Sequence, residues 1–168
     1  MSTHTLRRLA VVLSVVMSTA AVATPVAAST ATGLQIEIDA YLAAHPGGQQ
    51  ISTTEISYGG GALVVAVAPE PGIQGSPDCP SGWFCFYDRT WYGYPRGKLS
   101  DCGWQFLDTW SWQDRIDSVH NNQSFGTVYF YDEAGANDPV LFSVGPHKAL
   151  ADAGWARNRA DYVFRLCA

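Results

Sequence analysis

The sequence predicts an all-β fold: a sandwich of two sheets, built from two units of about 44 residues wired as Greek keys and preceded by a small helix plus a β-hairpin. Three observations predict it. Of the 21 Trp, Tyr and Phe residues, only Tyr41 and Tyr58 precede Cys79, and rings at such density exclude disorder and fill small β cores. Short aromatic and β-branched runs, Trp83 to Tyr87, Val128 to Tyr131, Val140 to Val144 and Tyr162 to Leu166, are separated by Gly, Pro, Asn and Asp turns. Finally, Phe86-Tyr87-Asp88 recurs as Phe130-Tyr131-Asp132, and Gln113-Asp114-Arg115-Ile116-Asp117-Ser118-Val119 as Arg157-Asn158-Arg159-Ala160-Asp161-Tyr162-Val163. Both matches fall at an offset of 44, which marks a tandem duplication. A unit of that length holds four short strands, hence eight strands in two sheets.

The chain opens with Arg7 and Arg8 ahead of an apolar run, Leu9 to Ala23, too short to span a membrane. Pro25 breaks the run, and Val26-Ala27-Ala28 offers small residues at signal-peptidase spacing. Residues 1–28 read as a leader cleaved near Ala28, with Ala23 and Ala31 as other cleavage points, so the protein is expected to be secreted and not membrane-bound. A retained N-terminal anchor is the competing reading.

Residues 29–68 form the helix-hairpin segment. Thr32-Gly33-Leu34-Gln35 has the form of a capping box. Leu34, Ile38, Tyr41 and Leu42 share one helical face, and Pro46-Gly47-Gly48 stops the helix. Ile51 to Tyr58 and Leu63 to Val67 read as two strands joined by Gly59-Gly60-Gly61. This segment is too small to bury a core alone, so it either packs on the main domain or stays loosely ordered. Residues 69–78 are a Pro/Gly-rich linker, and residues 79–168 are the sandwich.

The formal charge is −5, with charged residues at 15%, well under the roughly 25% of an average soluble domain. An acidic chain without a Lys/Arg cluster argues against nucleic acid as a partner. The four cysteines, Cys79, Cys85, Cys102 and Cys167, are an even number in an exported chain and read as two disulfides. Three connectivities are open. The turn-prone Pro80-Ser81-Gly82 favours Cys79 with Cys85, leaving Cys102 with Cys167. A zinc site fits poorly, because neither the cysteines nor His120 and His147 have ligand spacing.

Phe86-Tyr87-Asp88-Arg89-Thr90-Trp91-Tyr92-Gly93 resembles the aromatic-x4-aromatic-x-Gly pattern of βγ-crystallin Greek-key motifs, where Gly93 would supply a positive φ beneath an aromatic ring. Cys79-Pro80-Ser81-Gly82-Trp83-Phe84-Cys85-Phe86-Tyr87, Asp101-Cys102-Gly103-Trp104-Gln105 and Asp114-Arg115-Ile116-Asp117-Ser118-Val119 resemble, more specifically, the actinobacterial peptidase inhibitor family I36. The resemblance covers residues 79–168. It implies a βγ-crystallin-like domain that inhibits secreted proteases, metalloproteases of the thermolysin type first, with a secreted protease as partner. Ala136 and Asn137 depart from the pattern, so a less regular second hairpin is expected.

Enzymatic chemistry finds no support. There is no Gly-x-Ser-x-Gly elbow, no His-Glu-x-x-His and no phosphate-binding loop. Inhibition needs only a rigid, substrate-like loop, and the candidates are Pro80, Ser81 and Gly82, or the tip Glu133, Ala134 and Gly135. No cofactor is expected. The one candidate is a Ca²⁺ site on Gln113, Asp114, Asp117 and Ser118, which offer oxygen ligands in a crystallin-like segment. Arg115/Asp117 and Arg159/Asp161 fall on one strand face and read as solvent-side or corner salt bridges. Trp104, Trp110 and Trp112 read as core, with a sugar-stacking platform as the other reading, since Trp110 and Trp112 are spaced to share a strand face; the alternative to inhibition is a non-inhibitory secreted βγ-crystallin-type module that binds Ca²⁺, carbohydrate or the envelope. A monomer is expected.

Overall fold

The computed structural model describes residues 26–69, 75–135 and 137–167. Most of the expected leader, residues 1–25, lies outside the described residues, as do residues 70–74 of the linker and Ala136 in the second hairpin. Helix α1 (Val26–Ala44) begins earlier than the capping box at Thr32 suggested. Alanine is the strongest helix former, and Ala27, Ala28 and Ala31 carry the helix back past Thr32. Its inner face is the expected one: Ile38 is fully buried, and Tyr41 and Leu42 pack against the core.

Strand β1 (Gln49–Gln50) pairs with β2 (Glu55–Tyr58), and β2 with β3 (Leu63–Ala66) across Gly59–Gly61. The strand expected from Ile51 starts only at Glu55, because the Ser52 hydroxyl accepts the N–H groups of Thr54 and Glu55 and folds residues 52–55 into a turn. The hairpin does not stand apart. β3 pairs antiparallel with β5 (Gly93–Leu99), aligning Val65 with Gly97.

The remaining strands are β4 (Phe84–Arg89), β6 (Gly103–Phe106), β7 (Ser118–Asn121), β8 (Val128–Tyr131), β9 (Val140–Val144), β10 (Lys148–Leu150) and β11 (Tyr162–Arg165). With β1, β2, β3 and β5 they form, among the described residues, a seven-stranded sheet in the order β1-β2-β3-β5-β4-β7-β10 and a four-stranded sheet in the order β6-β11-β8-β9. The duplication explains the order. β4 to β7 are the first unit and β8 to β11 the second, and each unit gives its third strand to the other's sheet. Between the sheets Phe84, Phe86, Leu99, Trp112, Val119, Phe130 and Val163 form one core, which Ile38, Ile56, Leu63 and Val65 of the helix-hairpin segment join.

The two units match in backbone detail. Left-handed conformations recur 44 positions apart at Gly82 and Gly126, Gly103 and His147, and Asp114 and Asn158. The arginines of the repeated segment, however, do not pair along their own strand as expected. Arg115 binds Asp88 at 3.0 Å and Arg159 binds Asp132 at 2.5 Å. Each reaches across the corner to the Phe-Tyr-Asp strand of its own unit, while Asp117 and Asp161 direct their N–H groups to the carbonyls of Tyr87 and Tyr131.

Gly93 is also a correction. Its φ is not positive; Trp91 and Tyr92 hold the left-handed turn instead, at φ 55° and 59°. A Cβ on Gly93 would sit 2.7 Å from the Arg89 Cβ, so close approach and not φ requires glycine there. The two bulky left-handed residues are held by hydrogen bonds: Trp91 N–H to the Ala151 carbonyl at 2.7 Å, and Tyr92 N–H to Ser118 Oγ at 3.1 Å. The second hairpin crosses between strands over residues 132–139, and its register shifts between Phe130 and Tyr131.

Candidate functional site

The loop ahead of β4 is closed by the Cys79–Cys85 disulfide, with Cα atoms 5.6 Å apart. Inside it, the Trp83 N–H donates to the Pro80 carbonyl at 3.2 Å and Gly82 takes φ 86°, so Pro80 to Trp83 is a tight turn with Ser81 and Gly82 exposed at its crest. The extended shape expected of an inhibitory loop is therefore absent here, because glycine in the left-handed region reverses the chain.

Residues after β7 hold this turn from beneath. The Asn122 carbonyl accepts the Gly82 N–H at 2.9 Å, and its side chain donates to the Cys79 carbonyl at 2.7 Å. Buried Gln123 donates to the Gly82 carbonyl at 3.1 Å. Sequence reasoning missed both residues; the signal available was the polar run Asn121-Asn122-Gln123 closing a strand.

Asp78 fastens the other side. Its carboxylate accepts Tyr87 OH at 2.8 Å, Tyr94 OH and Arg96 Nη1 at 2.9 Å, and its carbonyl accepts the same arginine nitrogen at 3.0 Å. Arg96 and Lys98 also engage Glu55 of β2, at 3.5 and 2.8 Å. Burial, then the Asp78 charge, pushes the Tyr87 hydroxyl well above the ordinary tyrosine range, so it stays a neutral donor. The end of the linker, the hairpin and the stapled loop are thus tied to one patch of the larger sheet.

The second loop candidate leaves β8. Glu133, Ala134 and Gly135 are exposed. At its base, Glu133 N–H donates to Asp161 Oδ2 at 2.6 Å, Ala134 N–H to Asp138 Oδ1 at 3.2 Å, and Tyr162 OH to Asp138 Oδ2. Burial and the Asp138 carboxylate push the Tyr162 hydroxyl up to about 12.

The four candidate calcium ligands have different surroundings. Gln113 and Asp114 are exposed, with Asp114 left-handed at φ 54°. Asp117 is half-buried, and burial pushes its carboxyl up. The fully buried Ser118 Oγ donates to the Arg89 carbonyl at 2.7 Å while accepting the Tyr92 N–H, a role in building the first hairpin. Among the described residues no group of three or more His, Cys, Asp or Glu converges on a metal position.

The tryptophans separate. Trp110 ends a 3-10 turn, Leu107–Trp110, and Ser111 is left-handed at φ 57°, so Trp110 and Trp112 do not share a strand face. Trp112 is fully buried against Phe86, ring centroids 4.8 Å apart, with the Arg115 guanidinium 4.6 Å above it. Trp104 on β6 is 51% exposed. The second disulfide, Cys102–Cys167, joins the start of β6 to the end of β11.

The stapled turn and the Arg115–Asp88 corner fall within a segment that matches a known family model, that of peptidase inhibitor family I36, over residues 73–142. The I36 segment contains the stapled loop, the whole first unit, β8 and the tip, and stops inside β9; α1, β10 and β11 lie outside it. It supports a peptidase-inhibiting and non-enzymatic role. No curated protein and no solved structure matches the chain.

Proposed function

We propose that this chain is an exported, monomeric inhibitor of extracellular proteases, thermolysin-type metalloproteases first, which seats a rigid loop in the enzyme's cleft. The observation that carries this reading is the tethering of the Cys79–Cys85 turn by Asn122 and Gln123. A loop already ordered avoids the cost of about 0.5–1.5 kcal/mol for each side chain immobilised on docking. Ser81 and Gly82 enter as the crest of a closed turn. Export is supported by the leader-like residues 1–28 and by two disulfides, which persist in oxidising compartments.

The test is titration of the oxidised protein against a thermolysin-like enzyme, a subtilisin and trypsin. Inhibition of the metalloprotease is expected, weakened about tenfold by Asn122→Ala, the effect of losing one buried hydrogen bond from a docked loop. Inhibition of none of the three at micromolar concentration would sink the proposal. Unaltered inhibition by Ser81→Trp would remove the stapled turn from the mechanism.

A further inference from the structure

The outer face of the smaller sheet is floored with aromatic rings. Phe106, Tyr162 and Tyr131 stand opposite one another across β6, β11 and β8, and Trp104, Phe164 and Tyr129 form the next row. Tyr131 and Tyr162 stack 5.3 Å apart, and Trp104 lies 4.7 Å from Phe164 and 5.5 Å from Tyr162. Sequence alternation places these side chains away from the core, so the rings cover one another, and the two on β6 remain exposed, Trp104 by 51% and Phe106 by 56%. β6 is the edge of its sheet, paired only with β11 among the described residues, and its other backbone edge is open to an added strand.

Over this face, from β6 across β11 to the loop that leaves β8, lies a cleft of about 560 Å³, with Trp104, Phe106 and Tyr162 along its apolar side. Among the described residues its charged lining is acidic, Asp108, Glu133, Asp138 and Asp161, with no Lys, Arg or His. Burial holds the Asp161 carboxyl above its ordinary range, the hydrogen bond from the Glu133 N–H opposes this, and the charged groups acting on it, Asp114, Asp132 and Glu133, are all acidic and push it up. The nearby Arg159 is engaged with Asp132. The cleft therefore holds unbalanced negative charge against π faces, which a guanidinium or ammonium would neutralise. A neutral sugar would use the rings and leave the charge uncompensated.

We propose that an extended peptide segment bearing Arg or Lys, from a partner protein, adds along the open edge of β6 and places its cationic side chain between Trp104 and the carboxylates of Asp108, Glu133 and Asp138. Main-chain pairing would supply affinity and the acidic-aromatic cleft the selectivity. The site is separate from the stapled turn and does not depend on protease inhibition.

Calorimetry and Trp fluorescence on the oxidised full chain test it with three probes: a capped hexapeptide alternating threonine and arginine, the same peptide with glutamine for arginine, and a hexamer of N-acetylglucosamine. The arginine peptide is expected to bind and quench fluorescence, and to weaken as salt rises. The Asp108→Asn/Glu133→Gln double variant changes two exposed side chains and should keep its melting temperature while losing about tenfold or more in affinity. Trp104→Ala should lose a similar factor. The proposal is overturned by no binding of the arginine peptide at millimolar concentration. It is equally overturned by equal binding of the glutamine peptide, by full affinity in the folded double variant, or by binding of the sugar alone.

Discussion

Asp114 and Asn158, both left-handed and 44 positions apart, exchange equivalent hydrogen bonds between the units: Asp114 N–H donates to the Ala160 carbonyl at 2.9 Å and Asn158 N–H to the Ile116 carbonyl at 3.1 Å. Ile116 and Ala160 are themselves equivalent and fully buried. The two units meet about a local two-fold axis at this point. Asn and Asp are the non-glycine residues that accept the left-handed region most readily, which accounts for both positions.

Ser118 holds the first hairpin shut through two buried hydrogen bonds, to the Arg89 carbonyl and from the Tyr92 N–H. Its equivalent in the second unit is Tyr162, which cannot do this. Ser118→Ala should cost about 2 kcal/mol by leaving those backbone groups unpaired beneath left-handed Trp91 and Tyr92, measurable in urea unfolding.

Trp112 and Trp155 each carry a stacked arginine, Arg115 at 4.6 Å and Arg159 at 5.2 Å, yet their burial is opposite. Trp112 is fully buried and Trp155 is 69% exposed. Trp112→Ala should cost about 4 kcal/mol through lost burial and a cavity, whereas Trp155→Ala should stay within about 0.5 kcal/mol. Thermal melts of the two variants give the contrast directly.

Gly97 lies under the Phe86 ring, where a Cβ would come within 2.2 Å of a ring carbon. Phe86 is fully buried and cannot swing away. Gly97→Ala should destabilise by about 2 kcal/mol or more, the usual cost of overpacking a filled core, and a lowered urea midpoint with retained β-sheet circular dichroism would show it.

Asp117 has a buried carboxyl oxygen with no hydrogen-bond partner among the described residues. Burial pushes its carboxyl above the ordinary range, with repulsion from Asp88 and Asp152 adding and Arg157 opposing. A raised folded value means that the native state holds its proton longer than the unfolded chain. Stability from this group is full below the ordinary aspartate value and is lost as pH rises through the folded value. Asp117→Asn should therefore raise the melting temperature at neutral pH, with the gain shrinking below about pH 4. An equal gain at all pH values would contradict this account.

The long disulfide Cys102–Cys167 closes a separation of 65 residues and the short one, Cys79–Cys85, only 6. On the loop-entropy model, replacing both cysteines of a pair by serine should cost about 4 kcal/mol for the long bridge and about 2 for the short one. Denaturant midpoints of the two double variants test the ranking.

The period of 44 was legible because β4 with β8, and β7 with β11, keep the same residues where strand meets corner. The exchange of third strands was not legible: Gly103–Phe106 and Lys148–Leu150 share no pattern, and strand pairing is decided by contacts far apart in sequence. The Arg–Asp corners were misread along the strand, since spacing reports which face a residue occupies and not which neighbouring strand supplies its partner. At the candidate site, the cysteines announced the stapled turn, but Asn122 and Gln123 act from another strand's end. The helix and hairpin read correctly as elements, and their merger with the larger sheet rests on the pairing of Val64, Val65 and Ala66 with β5, which no local signal carries.

Because β6 lies in the second unit's sheet and β10 in the first's, neither half of the molecule can leave with a complete sheet. A single cut in a surface loop would free no folded fragment, and the Cys102–Cys167 bridge would keep the severed strand beside its neighbour. Opening should run as one cooperative event with few partly unravelled forms. For the proposed inhibitor, whose partner would digest proteins, such interlocking would turn topology into a defence: the docking loop would be offered at the surface while the chain behind it stays out of reach.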